Sequence, residues 1–223
     1  MSGFELASAF LGHVFKQETL LAEALTHRSA AGAHGVGSNE RLEFIGDRVL
    51  GLVIAEWLIE RFPDEQEGKL GPRMAALVSK PALAGIADAH GVGAMLSVAP
   101  GEVKRGVSTQ ANVLADALEA MIGALYMDGG LDTARRFIRK NFADVVQGQA
   151  APPKDPKTAL QEWALKRALP LPAYEIIQRS GPSHAPEFVV QVRVGETCAT
   201  ASAGAKRAAE QKAAQNLLGI LPK

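Results

Sequence analysis

The chain has 223 residues, 47% of them hydrophobic, and its 24 basic residues (Lys and Arg) equal its 24 acidic ones. This composition excludes an intrinsically disordered chain and allows a buried core. No uninterrupted apolar run approaches the ~18 residues that a membrane span needs, and a single cysteine, Cys198, excludes an intramolecular disulfide. We therefore expect a soluble cytoplasmic protein of one or two domains with no membrane partner.

The charge is unevenly distributed. Residues 154–223 contain ten Lys and Arg against six Asp and Glu, which leaves 14 (24 − 10) against 18 (24 − 6) in the residues before them. A basic part suits a polyanion and an acidic part suits divalent cations, although an excess of four charges also arises by chance. The consecutive prolines Pro152 and Pro153 lie where the net charge changes from negative to positive, and consecutive prolines favour extended backbone. We therefore predict domains at residues 1–149 and 157–223, joined by a linker at 150–156.

The first part has a helical pattern throughout. Apolar residues recur at three- and four-residue spacing over residues 4–15 and 17–25, and Asn39 is predicted to cap a long helix that ends near Arg61. Further helices are predicted at residues 71–90, with a break or the start of a second helix at Pro81, and at 109–127 and 132–142, separated by Gly129 and Gly130. No segment alternates convincingly, so this part is predicted to be all-α.

The second part changes pattern. Residues 188–194 form the clearest strand, with Phe188, Val190, Val192 and Val194 on one face. Extended segments are also predicted at residues 174–178 and 197–201, and helices at 155–168 and 203–218. The order α-β-β-β-α is typical of a small α+β domain.

Carboxylates recur within the apolar helices. Glu40, Glu43 and Asp47 lie within about 60° of one another on one helical face. Asp116 and Glu119 are three residues apart in a second apolar helix. Clustered carboxylates need a compensating positive charge, because burial disfavours their ionised form.

That charge has two possible sources. Arg41 and Arg48 could form ion pairs with the carboxylates, which would then be structural. The repeat of the pattern in two helices favours a metal instead. An all-oxygen ligand set without His or Cys suits Mg²⁺ or Mn²⁺, which can activate water for phosphodiester cleavage.

The segment Asn-Glu-Arg-Leu-Glu-Phe-Ile-Gly-Asp at residues 39–47 resembles the signature of the ribonuclease III family, which is close to Asn-Glu-Arg-Leu-Glu-Phe-Leu-Gly-Asp. Residues 112–120 resemble the family's second acidic motif. Residues 67–70 resemble its Glu-Gly-x-Leu motif, with Gly71 where Ser is usual. The resemblance covers nearly the whole chain and implies a magnesium-dependent endonuclease that cuts double-stranded RNA, with Mn²⁺ as a substitute ion.

The resemblance also implies the roles of single residues. The expected metal ligands, which also position the attacking water, are Glu43, Asp47, Asp116 and Glu119, with Asp47 and Glu119 the catalytic pair. Glu40 and Glu67 would have supporting roles near the cleft. The family further implies a homodimer in which Phe44 packs into the partner subunit, whereas the pattern alone would make Phe44 an ordinary core residue.

The implied reaction leaves 5′-phosphate and 3′-hydroxyl ends with short 3′ overhangs. Its expected substrates are ribosomal RNA precursors and some messenger and transfer RNA precursors. No Gly-x-x-x-x-Gly-Lys-Ser/Thr loop occurs, so no nucleotide cofactor is expected. His27 and Ser29 are expected to have structural or capping roles.

The second part resembles the double-stranded RNA-binding domain at residues 157–162, 181–184 and 206–214. That domain recognises A-form shape through two minor grooves and the phosphates between them. The expected RNA contacts are Thr158, Gln161, Glu162, His184, Lys206 and Arg207. The family's usual Gly-x-Gly and Ser before the last helix are replaced here by Ala201, Ala203 and Ala205.

Two other functions compete with this interpretation. A non-catalytic double-stranded RNA-binding protein could retain the fold, but it would be favoured by the loss of an acidic ligand, and all are present. A metal-dependent phosphohydrolase acting on small molecules is disfavoured by the basic module and by the absence of a His-Asp metal motif.

Overall fold

The computed structural model describes residues 2–32, 35–149, 152–153, 155–182 and 186–222. The chain divides into two compact units, Met1–Pro152 and Pro153–Lys223. The predicted fold class, an all-α part followed by an α-β-β-β-α part, is confirmed. The helices of the first unit are α1 (Gly3–Leu11), α2 (Glu18–Ala24), α3 (Glu40–Arg61), α4 (Glu67–Leu77), α5 (Lys80–Ala89), α6 (Pro100–Val103), α7 (Ala111–Asn141) and α8 (Ala143–Gln147). None of the helices in the described residues is long and apolar enough to span a membrane.

Helices α3 and α7 form the centre of the first unit. Their buried side chains include Leu50, Val53, Ile54, Leu118, Met121 and Ile122. The two backbones meet at a pair of glycines: a Cβ on Gly46 would overlap the carbonyl oxygen of Glu119, and one on Gly123 would overlap that of Leu42. This approach places the backbone of Glu119 directly against the acidic turns of α3.

The predicted break near Gly129 and Gly130 is confirmed. Helix α7 has non-helical backbone at Gly130, with φ 75° and ψ 178°, a conformation that only glycine adopts without strain. Two helical segments therefore meet at Gly130, and the segment beyond it turns Arg135 and Arg139 toward Glu56 and Glu60 of α3.

Several predicted boundaries in the first unit are wrong. Helix α1 ends at Leu11 rather than at residue 15, because Gly12 takes the left-handed conformation with φ 61°. Helix α4 begins at Glu67 rather than at Gly71, so Pro72 lies inside it. Asn39 precedes α3, but its side chain makes no capping hydrogen bond and its backbone is already helical (φ −68°, ψ −9°). At Pro81, by contrast, the predicted start of a second helix is confirmed, because Pro81 is the second residue of α5.

The second unit is a three-stranded antiparallel sheet in the order β1-β2-β3, with two helices. Its elements are α9 (Pro156–Leu165), β1 (Ala173–Ser180), β2 (Glu187–Val194), β3 (Thr197–Ala203) and α10 (Lys206–Ile220). Val192 and Val194 of β2 pack in the core with Leu160 of α9 and Leu217 of α10. The sheet has one buried face, as the alternation in β2 predicts.

Two boundaries also differ in this unit. The last helix starts at Lys206 rather than at residue 203, because Ala201 and Ala203 pair with β2 as part of β3. Alanine occurs in both helices and strands, so the pairing with β2 determines that these two residues belong to the strand. Helix α9 ends at Leu165, three residues earlier than predicted, and Ala168 beyond it has a positive φ of 52°.

Candidate metal centre

Three predicted ligands meet where α3 and α7 are closest. One carboxylate oxygen from each of Glu43, Asp116 and Glu119 lies within 4.8 Å of the other two. Glu43 lies in the first turn of α3, and Asp116 and Glu119 lie in the second and third turns of α7. Glu43 and Asp116 also line a pocket of about 320 Å³. The glycine contact between the helices therefore brings together carboxylates that are more than 70 residues apart in the chain.

The cluster is electrostatically unfavourable by itself. The pKa of Glu119 is raised to about 7, first by burial and then by the charges of Asp47, Glu43 and Asp116 in that order. Burial also raises the pKa of Glu43, with Asp116 as the next cause. A raised carboxyl pKa means that the folded protein disfavours the ionised form. Burial and mutual repulsion therefore both act against full ionisation of the cluster.

This arrangement fits a hard divalent cation. The donors are all carboxylate oxygens, they converge from two rigid helices, and Glu119 is only 9% exposed. Mg²⁺ and Mn²⁺ prefer oxygen ligands of this kind. A cation bound among these carboxylates would offset both the burial and the mutual repulsion that raise the pKa of Glu119.

Lys80 enters the same pocket and was not identified from the sequence. Its Nζ donates a hydrogen bond to Oδ1 of Asp116 at 3.0 Å, and its side chain is half-exposed. Lys80 lies 36 residues before Asp116, on the first turn of a different helix. No local pattern connects the two residues, so only the packing of α5 against α7 brings them together.

Asp47 lies near the cluster but outside its compact group. Its Oδ2 accepts a hydrogen bond from Nη1 of Arg48 at 2.5 Å, while the guanidinium carbon of Arg48 lies 4.2 Å from the centre of the Phe44 ring. The ion pair considered for Arg48 thus exists, with Asp47 as its partner. Asp47 still raises the pKa of Glu119 through its charge.

Phe44 is 63% exposed, which overturns the core position that the pattern alone would give it. Glu40 is exposed and lines the pocket, where its Oε2 accepts a hydrogen bond from Oγ of Ser38 at 2.7 Å. Glu67 is the exposed first residue of α4 and is not among the described residues that line this pocket. Of the two acidic residues expected in supporting roles, the structure therefore brings only Glu40 to the pocket.

His27 and Arg28 line the acidic pocket and also a neighbouring pocket of about 590 Å³ that contains Arg105. The predicted capping role of His27 is present, since its Nδ1 accepts a hydrogen bond from the backbone N–H of Ser29 at 3.2 Å. The two arginines place positive charge beside the carboxylates. A phosphate chain that reaches the acidic pocket from this side would pass these cations.

Comparison with known proteins assigns both units. The family model described as Ribonuclease-III-like matches residues 17–146, and the model described as the double-stranded RNA binding motif matches residues 156–221. The first match alone covers more than half of the chain. The chain belongs to the ribonuclease III family.

Curated relatives in this family match along almost the whole chain. "Ribonuclease 3" of Mesorhizobium japonicum is 48% identical over 210 residues, which are 93% of this chain and 94% of that protein. "Ribonuclease 3" of Dinoroseobacter shibae is 47% identical over 210 residues, which are 93% of this chain and 91% of that protein.

Solved structures give the same assignment. A nuclease domain of ribonuclease III from Campylobacter jejuni, studied for flexibility in a region involved in dimer formation, matches with a TM-score of 0.58 and 38% identity. The match covers 62% of this chain and 98% of that one. Dicer from Pichia stipitis matches with a TM-score of 0.50 and 26% identity over 95% of this chain and 98% of its own.

The second unit contains the residues that are expected to contact RNA. Three of them share one face of α9: Thr158 and Gln161 are exposed, and Glu162 is half-buried. The Thr158 hydroxyl donates a hydrogen bond to Asp155 Oδ1 at 3.3 Å, so part of its hydrogen-bonding capacity is used within the protein.

Lys206 and Arg207 form the exposed first turn of α10. Nζ of Lys206 lies 3.7 Å from Oε1 of Glu210, a long contact that leaves the ammonium accessible. Ala205 precedes the helix without a side-chain cap, which is the consequence of the missing Ser. The expected RNA contact at His184 lies outside the described residues.

Proposed function

We propose that this chain is a divalent-metal-dependent endoribonuclease that hydrolyses phosphodiester bonds in double-stranded RNA, with Mg²⁺ as its cofactor and Mn²⁺ as a substitute. The observation that carries the metal site is the convergence of Glu43, Asp116 and Glu119 within 4.8 Å. Family membership and the double-stranded RNA binding motif supply the substrate class.

In this proposal Glu43, Asp116 and Glu119 hold the metal and Asp47 joins them as a fourth ligand, with Asp47 and Glu119 the most essential pair. A bound divalent ion supplies charge stabilisation and lowers the pKa of water. The α3–α7 contact fixes the carboxylates before substrate arrives, which is the positioning that such chemistry needs. Glu40, at the pocket edge, and Glu67, on α4, are proposed to support the site from outside this ligand set.

We propose that the second unit binds the RNA duplex by shape. Thr158, Gln161 and Glu162 would face one minor groove and the loop with His184 the next, while Lys206 and Arg207 meet phosphates. The N-terminus of α10 adds favourable charge for a phosphate. The salt slope is the change in the logarithm of the binding constant with the logarithm of the salt concentration. Replacing both Lys206 and Arg207 by Ala should lower this slope for duplex binding by up to about 2, because the RNA keeps one counterion for each phosphate that is no longer contacted. An unchanged slope would show that these side chains are only solvated.

The active assembly is proposed to be a homodimer, with one site for each strand. The 63% exposure of Phe44, which follows the proposed ligand Glu43 in α3, supports a contact with a second copy at this position. The proposed products carry 5′-phosphate and 3′-hydroxyl ends with short 3′ overhangs. Precursors of ribosomal RNA, and some of messenger and transfer RNA, are the proposed substrates in the cytoplasm.

The test is a nuclease assay with the full chain on duplex and single-stranded RNA of the same sequence, with Mg²⁺, with Mn²⁺ and with a chelator. We expect cleavage of the duplex alone, and only with a divalent ion. Binding of the duplex without cleavage in either ion would indicate a non-catalytic RNA-binding protein. Hydrolysis of small phosphate esters in place of RNA would indicate a different phosphohydrolase.

A further inference from the structure

The acidic pocket already contains a cation that belongs to the protein. Nζ of Lys80 lies 3.0 Å from Oδ1 of Asp116. Lys80 also lines the pocket together with Glu43 and Asp116. A lysine ammonium is charged at neutral pH, so a positive charge contacts one proposed ligand and shares the pocket with a second.

The stability of α5 does not explain a lysine at this position. Lys80 is the first residue of α5, where the helix dipole disfavours positive charge. Ser79 already caps the helix, since its Oγ accepts a hydrogen bond from the N–H of Ala82, and Pro81 suits the first turn. The favourable partners of Lys80 lie on the other helices, in the acidic pocket.

We propose that Lys80 is a built-in counter-ion that competes with the divalent metal for Asp116 and thereby sets the metal concentration at which the site fills. This inference rests on the proposed metal site. Without metal, the ammonium reduces repulsion among the carboxylates and stabilises the folded protein. When a divalent ion binds, Asp116 exchanges its ammonium partner for the metal, and the positive charge that stays nearby weakens metal binding.

Electrostatics gives the size of the effect. The single positive charge of Lys80 and the double charge of a metal ion about 5 Å away repel each other in water. This repulsion changes the metal-binding constant roughly tenfold. Salt and the half-exposed position of Lys80 reduce this value, so removal of the charge should tighten metal binding about three- to tenfold.

The experiment measures Mn²⁺ binding to the full chain without RNA, by electron paramagnetic resonance of the free ion at constant pH and salt. Lys80→Gln should bind Mn²⁺ about three- to tenfold more tightly than the wild type. Lys80→Arg keeps the charge and should stay close to the wild type. Lys140→Gln is the matched control, because it removes a lysine that lines a different pocket with His13 and Phe137.

Thermal unfolding provides a second measurement that does not depend on activity. In chelator, Lys80→Gln should unfold at a lower temperature than the wild type. Saturating Mn²⁺ should make the two unfolding temperatures more similar, because the bound metal replaces the missing positive charge. A variant that folds only with Mn²⁺ would support the inference in the same way.

The outcomes separate the two proposals. Suppose that the wild type binds Mn²⁺ and that Glu119→Gln does not. If Lys80→Gln then binds Mn²⁺ as tightly as the wild type or more weakly, the counter-ion inference is wrong and the metal site stands. If the wild type binds no Mn²⁺, or if Glu119→Gln leaves binding unchanged, the proposed metal site fails and the inference fails with it.

Discussion

Helices α3 and α7 carry carboxylates at both ends of their contact, and the two ends differ in what faces those carboxylates. At one end, Arg135 lies 3.1 Å from Glu56 and Arg139 lies 2.6 Å from Glu60. The hydrogen bond from Arg139 lowers the pKa of Glu60. At the other end no arginine pairs with Glu119 in the described part of the chain, and its pKa is raised to about 7, with burial as the largest cause.

The difference follows from how the helices meet. At the acidic end the contact is backbone against backbone, through Gly46 and Gly123. This close approach leaves no room for a long cationic side chain between the helices. At the other end the helices are joined through long side chains, which can pair with one another. Glu56 and Glu60 are therefore paired with arginines of α7, whereas Glu119, beside the glycine contact, has no arginine partner among the described residues.

The largest effect is expected from Glu119→Gln. Loss of a hydrogen-bonding partner outside the ligand set typically costs about 10–100-fold in metal affinity or activity, so loss of a direct ligand should lower duplex cleavage by more than about 100-fold. Glu60→Gln, at the paired end of the same helices, is the matched control and should cleave normally. A steady-state cleavage assay in Mg²⁺ measures both variants. Near-normal cleavage by Glu119→Gln would remove this residue from the site.

Gly46→Ala should have the next largest effect. The added methyl group overlaps the carbonyl oxygen of Glu119, so the helices must separate. Overpacking of this kind typically destabilises a protein by about 1–3 kcal/mol, and it should also weaken Mn²⁺ binding because the ligands move apart. Gly85→Ala, in an exposed position of α5 where a Cβ meets nothing within 4 Å, is the control. Denaturant unfolding compares the two, and equal stability would show that the close approach is not required.

A smaller effect concerns pH and stability without metal. Because the pKa of Glu119 is raised above its ordinary value to about 7, the folded state binds this proton more tightly than the unfolded state. The stability that protonation provides is therefore present at low pH and lost as pH rises through about 7. Glu119→Gln keeps a neutral side chain at every pH.

In chelator at pH 8 this variant should unfold about 2–4 °C above the wild type, which corresponds to roughly 1 kcal/mol in a chain of this size. The difference should vanish near pH 5 and reverse with saturating Mg²⁺, which only the wild type binds well. Differential scanning fluorimetry across pH measures it. An equal difference at every pH would show that ionisation of Glu119 is not its cause.

The smallest effect is expected at the paired end. Since the pKa of Glu60 is lowered, its contribution to stability is present above its ordinary pKa and is lost as pH falls. Glu60→Gln should therefore lower the unfolding temperature slightly at pH 7 and not at pH 3, the opposite trend to Glu119→Gln. Its magnitude should be below that of Glu119→Gln, because exposed ion pairs contribute little. A pH trend of the same sign in both variants would contradict the comparison.

Helical spacing was sufficient to predict which carboxylates share a face, because neighbours on one helix depend only on local geometry. The fold class followed from the same patterns, and the break at Gly130 followed from the glycine pair. Helical spacing does not predict which residues of different helices come into contact. The approach of Lys80 to Asp116 depends on three-dimensional packing and has no local signal.

The sequence left side-chain orientation open, with an ion pair of Arg48 as one alternative and a core position as the interpretation of Phe44 from the pattern alone. Asp47 shares a helical face with Glu43, yet its carboxylate pairs with Arg48, and Phe44 is exposed within an apolar helix. The assignment of Ala201 and Ala203 to β3 rather than to α10 depends on pairing with β2, which a run of alanines does not reveal.

The most direct test of the central claim is the position of a bound ion. Crystals of the full chain grown with Mn²⁺ should give an anomalous peak about 2.0–2.5 Å from carboxylate oxygens of Glu43, Asp116 and Glu119. The paired carboxylates Glu56 and Glu60 should show none, and crystals of Glu119→Gln should lose the peak. No peak in the acidic pocket at a Mn²⁺ concentration that supports cleavage would contradict the assignment of this end of α3 and α7 as the metal centre.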